Sequence, residues 1–380
     1  MKTRREIMLD TLSNRSVDVV PQQVVFHDIN ALKLVAKRRH RSVLSDILEW
    51  LELLDDFMVD VTPVHLHESS WLKEVETLSR IELEHSCTGG GVLRTQVIDE
   101  TAEHLIFQFE NGARWRINKR PFRRDYVDYP IKNRRDLLNY RFPDPDEQWR
   151  YEGVAEEAAY FRKKGYFTSA EIHGFFSGVW YRYTDLYTFL ISLKKDRGFA
   201  RDLIDSVGEF NLRSAEHLLE SGIDSILFCD DLGHKTGMLI SPEDYERFIY
   251  PWHKRIANLC HQYGSYCHLH SHGHINDLIP LLIDAGIDIL NPVDYKEGLD
   301  IEGLKASYGD KLTFYVETDL PVAERGQVDA KALNRLKKIA EIGRQEGGII
   351  LRLRGIFETT AEEALRDSLS VSAKLRRGEN

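Results

Sequence analysis

The sequence predicts an α/β fold, a (β/α)8 TIM barrel, and two observations carry this prediction. Short apolar runs rich in β-branched residues alternate with longer amphipathic patterns along the chain, which is typical of parallel strands joined by helices. Eight such runs are present, and a closed barrel of this kind has eight strands. An open doubly wound sheet fits the second half of the chain equally well, but no Gly-x-Gly-x-x-Gly segment follows any predicted strand.

The eight predicted strands share an apolar composition and are bounded by polar or turn-forming residues. They cover residues 22–26, 57–61, 167–172, 224–229, 266–270, 288–292, 312–317 and 348–353. Amphipathic helices fill most of the intervals. Ser241 is a suitable N-terminal cap for one of them because Pro242 and acidic residues follow it. The helical patterns at 275–286, 300–309 and 329–347 each end at a glycine, as helices often do.

Between about residues 64 and 150 the pattern changes to short alternating segments. Glu110, Asn111 and Gly112 separate two of these segments, and Asn-Gly is a strong hairpin signal because glycine adopts a positive φ without strain. We therefore predict an antiparallel β insertion in the N-terminal half, at about 64–150. We expect the insertion to elaborate the barrel, so that residues 1–380 form a single domain.

Composition restricts the class of protein. The chain of 380 residues is 42% hydrophobic and 29% charged, which is enough apolar material for a full core without disulfide bonds. Four cysteines with no Cys-x-x-Cys spacing indicate a reducing compartment. The N-terminus lacks the apolar run of a signal peptide, and no stretch of about 18 apolar residues predicts a membrane span. A net charge of −10 argues against non-specific nucleic-acid binding. Taken together, these features lead us to expect a cytoplasmic protein that acts on a small molecule.

Polar residues follow every predicted strand, where a barrel places its working groups. These residues are His27, Asp28, Asp60, Thr62, His173, Asp230, Asp231, His270, His272, Asn291, Asp294, Glu317, Asp319, Arg352 and Arg354. Polar groups in a barrel mouth are costly to desolvate unless they are used. We therefore expect the site at this end of the barrel.

Four histidines crowd the segment 266–277, at 268, 270, 272 and 274. His270 and His272 are two residues apart, so their side chains point the same way in an extended chain and could bind one metal ion. Substrate hydrogen bonding, acid–base work and a purely structural role are the alternatives. His268 shares the same side but lies deeper, whereas His274 opens the next helix, where a capping or surface role is expected.

Asp230 and Asp231 should point to opposite sides of the strand, so that one faces the mouth and the other orders the backbone. Either is a candidate catalytic group, together with His270. Arg352 and Arg354 share one side and suit carboxylate or phosphate groups, although pairing with neighbouring acids is an equal alternative.

The segment 174–187 is dense in aromatic residues. Trp180 and Tyr181 could line a pocket for a flat ligand, or they could simply begin a helix packed on the barrel. With His173 and Asn291 at neighbouring strand ends, they complete the predicted substrate-binding set.

The segments 228–264, 268–294 and 299–319 together resemble the uroporphyrinogen decarboxylase (URO-D) superfamily. The resemblance extends over about 134–376 and is most specific within 223–319. It implies a (β/α)8 barrel with one of two chemistries. One is decarboxylation of uroporphyrinogen without metal or cofactor; the other is methyl transfer between corrinoid proteins and thiols, with a zinc ion that activates the thiolate.

The chain departs from both patterns. It has no segment like the Arg-Gln-Ala-Gly-Arg stretch of the decarboxylase near its N-terminus. The methyltransferase branch carries His-x-Cys-Gly, and here the corresponding residues are His270-Ser271-His272-Gly273. The later cysteine of that branch is also missing, because the segment 352–360 contains none. The resemblance therefore implies an altered zinc site of His270 and His272, with Glu317 as the third ligand or Asp231 as a second choice.

Three functions follow from these observations. The first is a methyltransferase that acts with a corrinoid (cobalamin) carried by a separate protein and is assisted by a metal at the barrel mouth. The second is a metal-free carboxy-lyase of the uroporphyrinogen decarboxylase type, in which Asp230 or Asp231 stabilises a protonated intermediate and Arg352 and Arg354 hold carboxylates. The third is a non-catalytic ligand-binding barrel. The resemblance also allows a homodimer.

Overall fold

The computed structural model describes residues 2–26, 58–60, 95–119, 122–319, 329–355 and 371–379. Eight parallel strands form its main sheet: β1 Gln22–Phe26, β2 Met58–Asp60, β3 Phe167–His173, β4 Ser225–Cys229, β5 Tyr266–His270, β6 Ile289–Val293, β7 Thr313–Asp319 and β8 Ile349–Gly355. Their order in the sheet is β1-β8-β7-β6-β5-β4-β3-β2. From β2 to β8 each strand lies beside its neighbour in the chain, and β1 lies beside β8, which is the order expected for the predicted (β/α)8 barrel.

The strand predictions agree with the structure to within two residues at each end. The spans 22–26 and 266–270 are reproduced without change, and the prediction 312–317 corresponds to Thr313–Asp319. Barrel strands are covered by helices on the outside and by the barrel interior on the inside, so they require nearly continuous apolar runs. This requirement is why they could be recognised from the sequence.

Helices occupy the outer layer between the strands. They span Arg4–Leu12, Arg134–Asn139, Val154–Lys163, Ser177–Arg182, Leu186–Lys195, Arg197–Glu220, Pro242–Asp244, Tyr250–Gln262, Ile279–Ala285, Ile301–Tyr308, Ala330–Glu346 and 371–376. Short 3₁₀ turns lie at Gln148–Arg150, Asn276–Leu278 and Tyr295–Glu297. The predicted cap at Ser241 is present, since its hydroxyl accepts from the Asp244 amide with Pro242 in the first turn. A π-helical turn, Tyr245–Ile249, continues that helix into Tyr250–Gln262.

An apolar layer closes the N-terminal end of the barrel. Phe167, Ile289, Tyr315 and Ile350 point inward from four strands, and Met8 of the first helix packs against them. All of these side chains are buried, and each such side chain stabilises the fold by about 1.5–3 kcal/mol. The layer forms a floor, so the polar groups above it are approached from the opposite end.

A four-stranded antiparallel sheet covers part of that opposite end. Its strands are Thr95–Glu100, His104–Phe109, Arg114–Lys119 and Phe122–Asp128, in sheet order. Gly112 has the positive φ of 89° expected in the hairpin. Asn111 is buried, accepts from the Ala113 amide and donates to the Arg182 carbonyl. The sheet lies inside the predicted insertion, while the insertion boundaries and the single-domain organisation stay predictions.

No helix in the described part of the chain is long and apolar enough to cross a membrane.

Candidate active site at the barrel mouth

The C-terminal ends of the central strands bring polar side chains to one level. His270 on β5 is paired in register with Cys229 on β4 and with Asn291 on β6, and Cys229 is paired with His173 on β3. Alternation along β5 sends Cys267 and Leu269 to the helix layer. His268 and His270 therefore face the barrel interior, as the sequence predicted.

His270 and His272 lie side by side, with ring centroids 4.8 Å apart. Nδ1 of His272 is 2.8 Å from Oε1 of Glu297, whose other oxygen accepts from the Gly273 amide at 2.9 Å. A carboxylate can only accept, so Nδ1 of His272 carries the hydrogen. Nε2 is then the nitrogen that can take up or release a proton.

The two neighbouring imidazoles have opposite pKa shifts. Burial acts to lower the pKa of His272, but the hydrogen bond to Glu297 and the charges of Glu297 and Asp231 outweigh it and raise that pKa. Burial, together with the charge of Arg352, lowers the pKa of His270 well below its ordinary value. Two neighbouring titratable groups whose pKa values are shifted in opposite directions are typical of acid–base sites.

The two aspartates after β4 point in opposite directions, as predicted. Asp231 faces the mouth, where Oδ1 accepts from the His272 amide at 3.0 Å and Oδ2 accepts from the Tyr181 hydroxyl at 3.2 Å. Asp230 is fully buried. Its carboxylate accepts from the amides of residues 175–177 and contacts Nε2 of His253 at 2.8 Å. This geometry favours the backbone-ordering alternative for Asp230 over a catalytic role.

The predicted zinc ligands are not assembled as a set. Glu317 is buried and accepts from Nη1 of Arg352 at 2.7 Å, while His272 is held by Glu297. Over the described ranges, no group of three or more His, Cys, Asp or Glu side chains is placed to hold a metal ion. Zinc binding by His270 and His272, with Glu317 or Asp231 as a further ligand, therefore stays a prediction that no step below uses.

The predicted aromatic residues lie against the antiparallel sheet. The rings of Trp180 and Tyr181 are 3.8 Å apart, and Tyr181 also contacts Trp115 and Tyr126 of the sheet at 6.3 and 5.9 Å. Trp115 Nε1 donates to the Tyr181 carbonyl. The sheet therefore supports the helix that presents the Tyr181 hydroxyl to Asp231.

His173 is tied to this same support. It is buried, and its Nε2 accepts from Nε of Arg182 at 3.2 Å. Burial and the charge of Arg182 lower the pKa of His173 well below its ordinary value. A neutral histidine held in this way orders the helix start, and its predicted contact with substrate stays a prediction.

Some predicted positions fall outside these contacts. His27, Asp28 and Thr62 lie outside the described residues. For Arg354 the structure describes the strand backbone, which is paired in register with Asp319. The predicted role of Arg354 in binding substrate therefore stays a prediction.

Sequence reasoning missed Glu297 and Glu171. Glu297 lies in the turn after β6 and reaches His272 across 25 positions. Glu171 faces the interior from β3 and accepts from the thiol of Cys229 at 3.2 Å. Burial and the charge of Glu171 raise the pKa of the Cys229 thiol well above its ordinary value. Glu171 lies two residues before His173 on β3, so both side chains face the same side of the strand. This alternation could have identified Glu171 from the sequence.

The chain is similar to one known protein family and to solved structures. The family model described as uroporphyrinogen decarboxylase (URO-D) matches residues 123–351. No protein of curated function matches the sequence. A solved methyltransferase from Methanosarcina mazei is 15% identical and similar over 98% of both chains, with a TM-score of 0.60.

A mannonate dehydratase from Streptococcus suis serotype 2 is 13% identical, covers 63% of this chain and 86% of its own, and has a TM-score of 0.36. At these identities the first likeness shows a shared fold, and the second is too slight to support an argument.

Proposed function

The chain belongs to the uroporphyrinogen decarboxylase (URO-D) family, and from this premise we propose that it is a methyltransferase whose barrel mouth exchanges a methyl group between a small molecule and a corrinoid carried by a separate protein. The fold shared along the whole length with a methyltransferase supports this choice within the family. The corrinoid would supply the electron pair that the methyl carbon takes up, or would give up the methyl group in the opposite direction.

The observation that carries the proposal is the His272–Glu297 pair beside a neutral His270. Methyl transfer leaves a charge to be balanced, because an oxygen or sulfur that loses a methyl group must gain a proton. Nε2 of His272 can supply that proton, while Glu297 holds the ring through Nδ1. His270, kept neutral, is left to hydrogen-bond the substrate, and Asp231 fixes the backbone of His272.

With an O-methyl donor, the reaction needs one proton for the oxygen and one electron pair for the methyl carbon. The carbon–oxygen bond breaks with its electron pair on oxygen, which takes the proton from Nε2 of His272. A corrinoid, when bound, would supply the electron pair for the new bond to the methyl carbon. In the direction of a thiol acceptor, the same nitrogen receives the thiol proton. General acid–base catalysis of this kind contributes about 10²–10⁴ in rate.

The second candidate is a metal-free carboxy-lyase, and one observation favours it. The described residues do not assemble three ligands for a metal ion, which matches the decarboxylase chemistry of the family better than a zinc-assisted one. His272 would then protonate the carbon from which carbon dioxide departs. The pairing of Arg352 with Glu317 counts against this reading, because that arginine is already neutralised.

The test is methyl exchange with free cobalamin. The purified protein is incubated with cob(I)alamin and an aryl methyl ether, and in the reverse direction with methylcobalamin and a thiol, while the cobalamin absorbance is followed. We expect exchange by the wild type and a loss of about 10²–10⁴ for His272→Gln. The matched control is His261→Gln, which changes a histidine on the outer helix layer paired with Asp288.

Release of carbon dioxide from uroporphyrinogen without any methyl exchange would contradict the methyltransferase proposal and establish the second candidate. Exchange that is equally fast in wild type and His272→Gln would remove His272 from the reaction.

A further inference from the structure

Among the described residues of the barrel interior, polar atoms of several side chains have no hydrogen-bond partner, and three of these side chains lie near the proposed reaction site. Both ring nitrogens of His268 are in this state, and so are Oδ1 of Asn291 and Nε of Arg352. His268 is fully buried and Asn291 is 4% exposed. Buried polar atoms are nearly always paired in native proteins, so a cluster of unpaired ones in the described residues is a place where a ligand can supply the partner.

The unpaired groups belong to one region just below the proposed reaction site. Asn291 is paired in register with His270, and the charge of Arg352 acts on both His268 and His270. His268 lies two residues before His270 on β5, which is about 6.6 Å deeper into the barrel. Beneath it, the ring of Tyr315 in the apolar floor is 5.7 Å away. The region therefore lies between the apolar floor and the proposed reaction site.

Interior space extends to this depth. Leu227 is paired in register with His268 and faces the interior, yet it is partly exposed. His270 and Arg352 are also partly exposed.

We propose that His268, Asn291 and Arg352 form a subsite for an uncharged group of the substrate that both donates and accepts hydrogen bonds, namely a hydroxyl or a primary amide. A neutral imidazole offers one donor and one acceptor, Asn291 offers an amide, and Nε of Arg352 donates. A hydroxyl or amide satisfies this mixed set.

A carboxylate does not satisfy this set. It only accepts, so it would leave the lone pair of His268 and Oδ1 of Asn291 without a donor. In the described part of this layer the cationic side chain is Arg352, which is already paired with Glu317. The subsite therefore selects against carboxylated substrates.

The inference rests on the proposed function, and it adds a substrate class to it. The polar group lies deeper than the atom handled by His272, because His268 precedes His270 by about 6.6 Å along β5 and His272 follows His270. Trp180 and Tyr181 offer aromatic faces near the mouth. The class is a small, flat, uncharged ring with the methyl-exchanging atom at one end and a hydroxyl or carboxamide at the other.

Calorimetric binding without corrinoid tests the subsite apart from the reaction. The probes are 4-methoxyphenol, 4-methoxybenzamide, anisole and 4-methoxybenzoate. We expect the phenol and the amide to bind wild type at least about tenfold more tightly than anisole or the benzoate, the effect of a well-placed hydrogen bond. His268→Phe should abolish this preference, whereas His268→Gln, which keeps a donor and an acceptor, should retain part of it. His261→Gln, the control on the outer helix layer, should retain it fully.

Thermal unfolding of the same variants separates a binding role from a structural one. Replacing unpaired buried nitrogens by an apolar ring should leave the midpoint of His268→Phe unchanged or raised. A lowered midpoint for His268→Phe together with an intact binding preference would overturn the proposal, as would the absence of a preference in wild type or a preference for the benzoate. If the preference is found but no probe exchanges its methyl group, the subsite stands and the methyltransferase proposal falls.

Discussion

Glu297 contributes most to keeping His272 protonated, and this makes a pH prediction. The pKa of His272 is raised above its ordinary value, so its proton is present below that pKa and is lost as the pH rises through it. For an O-methyl donor, which needs the proton, kcat/KM should fall with rising pH. Glu297→Gln removes the negative charge, so the fall should move to lower pH.

Measurement of kcat/KM from about pH 5 to 9, the range in which histidine titrates, checks this. Glu302→Gln, which changes a glutamate paired with Lys338 on an outer helix, should leave the profile where it is. A profile that is identical in wild type and Glu297→Gln would show that another group carries the proton.

Asp230 and Asp231 are adjacent in sequence and should respond oppositely to the same substitution. Asp230→Asn replaces one carboxylate oxygen by an amide nitrogen, which then faces backbone N–H donors in a fully buried site, and this should cost about 2–4 kcal/mol of stability. Asp231→Asn alters a partly exposed side chain and should cost less than about 1 kcal/mol. Its effect should appear in the rate, because its charge helps to keep the proton on His272.

Urea unfolding followed by tryptophan fluorescence distinguishes the two aspartates. Equal stability losses in both variants would contradict the assignment of Asp230 to structure and Asp231 to the mouth.

At the residue scale, the sequence predicted what depends on local alternation and missed what depends on distant loops. The shared face of His270 and His272 and the opposed aspartates follow from the two-residue period of a strand. Glu297 could not be recognised in this way, because the turn after β6 brings it to His272. The assignment of Glu317 as a third ligand could not anticipate that β8 places Arg352 opposite it.

At the scale of elements, the junction between β3 and the next helix requires Gly174, because neighbouring atoms approach it closely. A Cβ added at Gly174 would lie 2.0 Å from Oδ1 of Asp230 and 2.0 Å from the Cys229 carbonyl oxygen. Asp230 caps the amides that follow Gly174, and its other support is the buried contact with His253, whose Nδ1 is 3.0 Å from the Tyr245 hydroxyl. This network joins the helix Tyr250–Gln262 to the start of the helix Ser177–Arg182, which carries Tyr181.

Gly174→Ala should therefore be among the most damaging small changes in the chain. The added carbon must displace Asp230 or the end of β4, at a cost of more than about 2 kcal/mol. Gly237→Ala is the matched control, since its Cβ would meet Nε2 of His234 at an ordinary 3.8 Å, and it should change stability by less than about 0.5 kcal/mol. Comparable unfolding midpoints for the two variants would contradict the close approach.

The elements themselves were largely predictable, but their docking was not. Barrel strands need apolar runs, and a hairpin needs Gly112, so both leave a signal in the sequence. The contact of the antiparallel sheet with Ser177–Arg182 depends on how Trp115, Asn111 and Arg182 meet in space. No periodicity encodes such a contact, which explains why the role of the insertion could not be assigned from the sequence.

At the scale of the whole molecule, the barrel has an apolar end and a polar end. The first helix contributes Met8 to the floor, and Arg5 of the same helix is 2.7 Å from Asp224, which precedes β4. The floor therefore connects the first residues of the chain to strands from both halves of the barrel. Above it, the polar layers of His268 and His270 lead to the mouth, where the antiparallel sheet is packed.

This organisation predicts that a side chain far from the mouth controls the stability of the whole barrel. Met8 is fully buried, so Met8→Ala should leave a cavity among Phe167, Tyr315 and Ile350 and cost about 2–5 kcal/mol. Ile98→Ala is the control: Ile98 is 43% exposed on the antiparallel sheet, and its truncation should cost less than about 1 kcal/mol.

Because the floor is shared by several strands, urea unfolding of Met8→Ala should shift as one transition, whether it is followed by circular dichroism or by loss of ligand binding at the mouth. Two separate transitions, with binding at the mouth surviving the loss of the floor, would show that the polar end folds independently of the apolar one.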